Sequence, residues 1–362
     1  MHSVLAFLFL FMTVLSNAQK VPDFLEKSRK HVMEQHAISY KYTAYWPNIV
    51  GEVDTLRGDC RFVVGKQKGF RYDFVAKSQG YDLTYLDGAY QEVVHDEKKV
   101  VLHTDEEQTA RMLRGLIPLK YSPIILLERS WQYARDTTIA HSLAVYRAIA
   151  MDTMINGSRS YLELWLYIGK KSRLPEWYVQ QSFYRGKRGQ RIEFEFTDYA
   201  LSRKAEPLVY TLPVGYTSEV YGANPGPQVL QAGTEAPVFQ LTDLQGTPVD
   251  LKALRGKKVL LNFSMINCGY CKLAIDYMKR KDFVLPNDVV AVYIAPVDKR
   301  DRVASYAQKS PIPYPVVADA RAVGTMYGVS GYPTFFLIDE KGVIQQTVVG
   351  YEEEFLQGLG KK

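Results

Sequence analysis

The sequence predicts an α+β chain of two domains: a β-rich half led by one helix, then an α/β unit whose sheet is covered on both faces. Three observations carry that prediction. Strand-like runs separated by turn residues follow one another from residue 38 to residue 199. Pro213, Gly215, Gly222, Pro225, Gly226, Pro227 and Gly233 then crowd a stretch with no apolar period. Beyond it, short continuous apolar runs alternate with helical patterns. A length of 362 residues suits two ordinary cores better than one. The expected division is a signal peptide at 1–18, a β-rich domain at 19–211, a linker at 212–232 and a second domain at 233–362.

The chain opens Met1-His2-Ser3, then runs apolar from 4 to 15, then reads Ser16-Asn17-Ala18-Gln19. A run of about a dozen residues, apolar apart from Thr13, is too short to span a bilayer but suits the core of a secretory signal, and Ser16 and Ala18 suit cleavage after Ala18. No Lys or Arg precedes the run, so an uncleaved anchor is the alternative. No Cys follows it, so lipid attachment there is not indicated. The expected location is the periplasm or cell envelope.

Helical spacing of Phe24, Leu25, Val32 and Met33 after Pro22 predicts a first helix over 21–35. Strands are expected at 38–46, 52–64, 69–76, 81–86, 90–94 and 100–103, with Asp87-Gly88 as turn chemistry. Helices follow at 106–116 and 124–133, and strands resume at 141–150, 158–168, 176–184 and 191–199. In the second domain a short hairpin (238–241 with 249–251) precedes the apolar strand 259–263 and a helix reaching 281, with Leu273, Tyr277 and Met278 on one side. Strands at 289–294, 315–317, 335–338 and 343–349 alternate with helices at 300–308, 321–327 and from 352.

Composition excludes several function classes. A net charge of +6 over this length is mild, and no Lys/Arg block interleaves with aromatics, so no nucleic acid partner is expected. Three cysteines, Cys60, Cys268 and Cys271, do not make a disulfide-stapled scaffold. Two of them form a C-x-x-C unit without a second pair, and all six histidines lie at or before His141, so neither a metal nor another cofactor is expected. Cys60, in a strand-like run, reads as a buried inert thiol. Tyr40, Tyr42, Tyr45 and Trp46 read as sheet faces rather than a ligand box.

The chemistry concentrates where the apolar strand ends and Cys268 opens a helix. Free backbone N–H groups and the helix dipole stabilise a thiolate at that point, and the thiolate is the attacking species. Cys271 lies one turn on, close enough to resolve a mixed disulfide. A purely structural bridge is the alternative reading of the same pair.

The segment from 233 to 362 resembles the TlpA/ResA branch of the thioredoxin superfamily. The likeness rests on Ala236-Pro237-Val238-Phe239, Leu261-Asn262-Phe263 before the cysteines, and Gly331-Tyr332-Pro333-Thr334 before Phe335-Phe336-Leu337-Ile338-Asp339. It implies an α/β thioredoxin-like fold in which Cys268 and Cys271 form the redox disulfide. Pro333 would be a cis-proline facing them, and the Tyr332 backbone would pair with a bound polypeptide. It also implies a disulfide-containing protein as substrate, a membrane or periplasmic thiol electron donor, and most often reductase work. Departures are Asn262 for the buried aspartate of thioredoxins, Asn267 for the tryptophan before the first cysteine, and Ala274 for the glutamate of some relatives. The proton acceptor for Cys271 is thereby left unassigned, with Asp276 a poor substitute if it faces solvent. The Gly-Tyr pair between the cysteines is similar to that of periplasmic disulfide isomerases, so the direction of electron flow stays open.

By layout alone, the β-rich domain resembles LolA-like carriers, which implies a helix-wrapped antiparallel half-barrel and an apolar ligand. Two alternatives stand beside the oxidoreductase. One is a peroxiredoxin, for which Ser264 is the only hydroxyl before Cys268 in the right neighbourhood. The other is an envelope lipid-binding protein with an accessory redox domain.

Overall fold

The computed structural model describes residues 23–47, 51–66, 70–155, 158–223 and 228–360; the expected signal peptide lies outside them. Helix α1 (Asp23–Met33) buries Leu25 and Val32. A meander follows: β1 (Ala37–Pro47), β2 (Val53–Val64), β3 (Tyr72–Ser78), β4 (Tyr81–Leu86), β5 (Ala89–Val94) and β6 (Lys99–His103). Three short helices, α2 (Glu106–Leu113), α3 (Ile117–Lys120) and α4 (Pro123–Glu128), separate it from a second run of strands. These are β7 (Gln132–Thr138), β8 (Ser142–Ile155), β9 (Ser158–Gly169), β10 (Pro175–Tyr184) and β11 (Lys187–Ser202).

With β12 (Thr217–Val220) they build one twelve-stranded sheet in the order β12-β6-β5-β4-β3-β2-β1-β11-β10-β9-β8-β7. Alternation in β1 sends Ile38, Tyr40, Tyr42 and Ala44 to the face covered by the helices, where they join Leu25, Leu119, Ile124 and Phe194 in one apolar cluster. Among the described residues β12 and β7 are edges that do not meet. The half-barrel expected here is thus an open sheet with helices on one face, and no barrel closes.

Two local expectations are corrected. The helix expected over 124–133 stops at Glu128, because Arg129 turns extended and the Trp131 indole N–H donates back to the Leu126 carbonyl at 2.7 Å. The chain then continues as the exposed edge strand β7. Within the expected linker, Thr217–Val220 is a strand parallel to β6, and the Tyr221 ring stacks on His103 with centroids 4.6 Å apart. That stretch belongs to the sheet despite its neighbouring glycines.

The second unit opens with the hairpin β13 (Gln240–Thr242) and β14 (Pro248–Asp250). Its five-stranded sheet has the order β17-β16-β15-β18-β19, from β15 (Lys258–Phe263), β16 (Val289–Ile294), β17 (Val316–Val317), β18 (Thr334–Ile338) and β19 (Ile344–Val349). The first three strands are parallel; β18 and β19 run antiparallel to their neighbours. Helices α5 (Gly269–Met278) and α8 (Glu353–Leu359) cover one face. Helix α7 (Arg321–Met326) and the β13–β14 hairpin flank the other, and α6 (Arg300–Lys309) packs beside α5. This is a thioredoxin-like fold. Along β15, Val259, Leu261 and Phe263 feed one cluster while Leu260 feeds the opposite one, so Asn262 lies on the α5 side.

Candidate active site

Strand β15 ends at Phe263, a short loop carries Ser264 to Asn267, and Cys268 is the N-cap of α5. Its backbone is extended (φ −103°, ψ 114°), and its Sγ accepts the Cys271 N–H at 3.0 Å. A sulfur at this position receives an otherwise unpaired helix N–H, which favours the thiolate once the pair is reduced. The two cysteines are joined as a disulfide with Cα atoms 5.2 Å apart. Cys268 is half-buried whereas Cys271 is 2% exposed, so one sulfur is open to a partner and the other is shielded.

The loop before β18 closes over the pair. The Tyr332–Pro333 bond is cis, and the Tyr332 carbonyl oxygen lies 3.6 Å from Cys268 Sγ. The structure therefore gathers Cys268, Cys271, Tyr332 and Pro333 at one end of the sheet.

Beneath them, the position that thioredoxins fill with aspartate holds a neutral network. Fully buried Asn262 donates to the Tyr314 hydroxyl at 3.0 Å and accepts from the Ser264 hydroxyl at 2.7 Å. Burial pushes the Tyr314 hydroxyl well above its ordinary range, against the Asn262 hydrogen bond that draws it down, so it stays protonated. Asp276 is exposed and paired with Lys272 on the same helix, so it does not serve the buried cysteine. Of the face expected for α5, Tyr277 and Met278 are buried, with Ala274 and Ile275 beside them, whereas Leu273 is exposed.

Sequence reasoning missed three charged groups. Asp298, in the turn after β16, accepts the Ile266 N–H at 2.9 Å. Burial holds its carboxyl above the usual carboxylate range, and the repulsion of Asp54 adds to this; the Ile266 N–H and Arg302 pull the other way. Asp54 of β2 accepts from the Asn267 side-chain amide at 2.9 Å and pairs with Arg302 of α6 at 2.8 Å. Pro296-Val297-Asp298 closing an apolar strand was the one available signal for Asp298; nothing in the local sequence marks Asp54.

Cys60 lies elsewhere, fully buried in the large sheet. Burial pushes its thiol up to about 12, partly offset by the Tyr40 hydroxyl, which leaves it protonated and unreactive.

Residues 232–347 match the AhpC/TSA family. Thioredoxin-like protein YneN of Bacillus subtilis (strain 168) is 35% identical over 148 residues, which cover 40% of this chain and 87% of YneN. Thiol-disulfide oxidoreductase ResA of Bacillus anthracis is 33% identical over 159 residues, 43% of this chain and 91% of ResA. The chain belongs to the ResA family of thiol-disulfide oxidoreductases. Among solved structures, one described as a DsbE thiol:disulfide interchange protein of Chlorobium tepidum aligns with 36% of this chain and 93% of its own, at 28% identity and a TM-score of 0.32. The AhpC/TSA match begins at residue 232, so the ResA-like unit follows the twelve-stranded sheet.

Proposed function

We propose that the protein is an exported protein-disulfide reductase working through Cys268 and Cys271. The observation that carries this is the asymmetry of the pair: an accessible sulfur capping a helix and a buried one a turn behind it. In the reduced enzyme the Cys268 thiolate attacks a substrate disulfide, forming a mixed disulfide and releasing one substrate thiolate. Cys271 then attacks Cys268, the second substrate sulfur leaves as thiolate, and the enzyme holds the disulfide. A dithiol donor in the membrane or periplasm returns two electrons and resets the pair. The Tyr332 carbonyl beside Cys268 supports a role in aligning the substrate chain, with Pro333 holding the loop. The apolar run at 4–15 supports export, and no described helix is long and apolar enough to cross a membrane.

The peroxiredoxin alternative is disfavoured by Ser264. Its hydroxyl is fully buried and spent on Asn262, so it does not assist a peroxide at Cys268. The test is trapping. Cys271→Ser, expressed in its native envelope, is expected to hold partner proteins in dithiothreitol-sensitive adducts that Cys268→Ser/Cys271→Ser lacks. Recovery of no adduct would count against protein-disulfide chemistry.

A second role is favoured by one specific observation, a cavity of about 1150 Å³ between the large sheet and its helices. Phe70, Tyr85, Leu113, Leu119 and Ile125 give it an apolar wall, with Glu106 and Arg114 among its charged groups. We propose that it takes an apolar ligand. Solvent extraction and mass spectrometry of the native protein is expected to recover one, and Leu113→Trp is expected to diminish it.

A further inference from the structure

The two halves keep separate apolar cores; none of the described clusters mixes residues of both. Polar contacts join them among the described residues: Arg321 of α7 pairs with Glu97 at 3.3 Å, and a second group lies on α6 and the Cys268 loop. Glu52 accepts from Ser305 and from Lys309 of α6, both at 2.7 Å. One turn closer to the active site, Asp54 binds the Asn267 amide and Arg302. Asn267 is the residue before Cys268, and Ile266, one further back, is held by Asp298. Two carboxylates, one from each half, thus grip consecutive residues of the loop that presents the nucleophile, with Arg302 near both.

We propose that Asp54 is a positioning residue of the redox centre, supplied by the N-terminal sheet, which fixes the Cys268 loop through Asn267 and sets its charge together with Arg302. The inference rests on Cys268 and Cys271 being the working pair. Its physical basis is that a fixed anion beside a sulfur disfavours the thiolate, and a fixed cation favours it. The charged and titratable groups facing this point are Asp54 from β2, Arg302 from α6, Asp298 after β16, and Tyr332 from the proline loop, with Tyr293 of β16 behind Asp298 and Arg321 of α7, paired with Glu97, acting on Tyr332.

The sign of the effect separates positioning from simple tethering. Asp54→Asn and Arg302→Gln break the same ion pair, and the asparagine keeps an oxygen that can accept from Asn267, so a merely structural contact would make both behave alike. If the charges act on the sulfur, the two variants diverge. Asp54→Asn removes an anion and frees a cation, so the pH midpoint for iodoacetamide alkylation of Cys268 in the reduced full-length protein is expected to fall, by about half a pH unit. Arg302→Gln leaves Asp54 and Asp298 uncompensated, so the midpoint is expected to rise by a similar amount. Glu52→Gln weakens the same interface at Ser305 and Lys309 and is expected to leave the midpoint in place. Midpoints that stay fixed, or move together in all three variants, overturn the inference while leaving the redox pair intact. A wild-type protein whose reduced cysteines take up no iodoacetamide removes both the inference and the reading beneath it.

Discussion

A nucleophilic cysteine needs a stabilised anion, an open approach and a partner that arrives second. In the reaction we propose, Cys268 has the first from the Cys271 N–H at 3.0 Å and the second from its half-exposed place at the head of α5. Cys271, 2% exposed, supplies the third. The placement of the pair at a helix start was legible from the sequence because strand-to-helix patterning and C-x-x-C spacing are local properties. Asp298 was marked only by its place at the end of an apolar strand, since its contact with the Cys268 loop comes from folding the end of β16 back against it. Its carboxyl, raised by burial, carries a pH consequence whose sign follows directly. A carboxyl with a folded pKa above the unfolded one binds its proton more tightly in the native state. It therefore costs stability once the pH exceeds the folded value, and the cost disappears as pH falls below the ordinary aspartate range. Asp298→Asn keeps an acceptor for the Ile266 N–H without the charge. It is expected to melt at or above the wild-type temperature at pH 7, with the advantage fading by about pH 4. A lower melting temperature at pH 7 would show that the ionised form is the stabilising one.

At the scale of elements, period-2 and period-3.6 patterning located most of the strands and helices to within a few residues. Runs such as Tyr81–Leu86 and Val289–Ile294 are bounded by turn residues on both sides and end where the pattern ends. The failures have tertiary causes. Helix α4 is cut short by the hydrogen bond from Trp131, and β12 exists only because β6 offers it a free edge. Gly58 is another position decided by a neighbour. It stands opposite Tyr42 across β1 and β2, and a Cβ there would fall 2.3 Å from the Tyr42 ring. That ring is buried against Phe194 with centroids 6.0 Å apart, so it has little room to withdraw. Overpacking of this kind costs about 1–3 kcal/mol. Gly58→Ala is expected to lower the denaturant midpoint of the N-terminal sheet accordingly, read by tyrosine and tryptophan fluorescence. An unchanged midpoint would mean that Tyr42 repacks freely.

Over the whole molecule, the sequence announced two units and could not say how they meet. Charges such as Asp54 and Arg302 look like ordinary solvated surface until the fold sets them against each other. Partly exposed ion pairs of this sort contribute roughly 0–1 kcal/mol each, so the two halves are held by contacts that can open and re-form. What prevents separation is the pinning of the connecting chain. The Tyr221 N–H is fixed to the Leu102 carbonyl at one end, and the Leu230 N–H to the Tyr327 carbonyl at the other. Nine residue steps lie between these anchors, which even fully stretched reach only about 30 Å. An undocked redox unit is therefore a leashed reagent, confined to a small volume around the rim of the large sheet. Any protein captured by that sheet would meet Cys268 at an effective concentration on the order of millimolar, with no diffusional search.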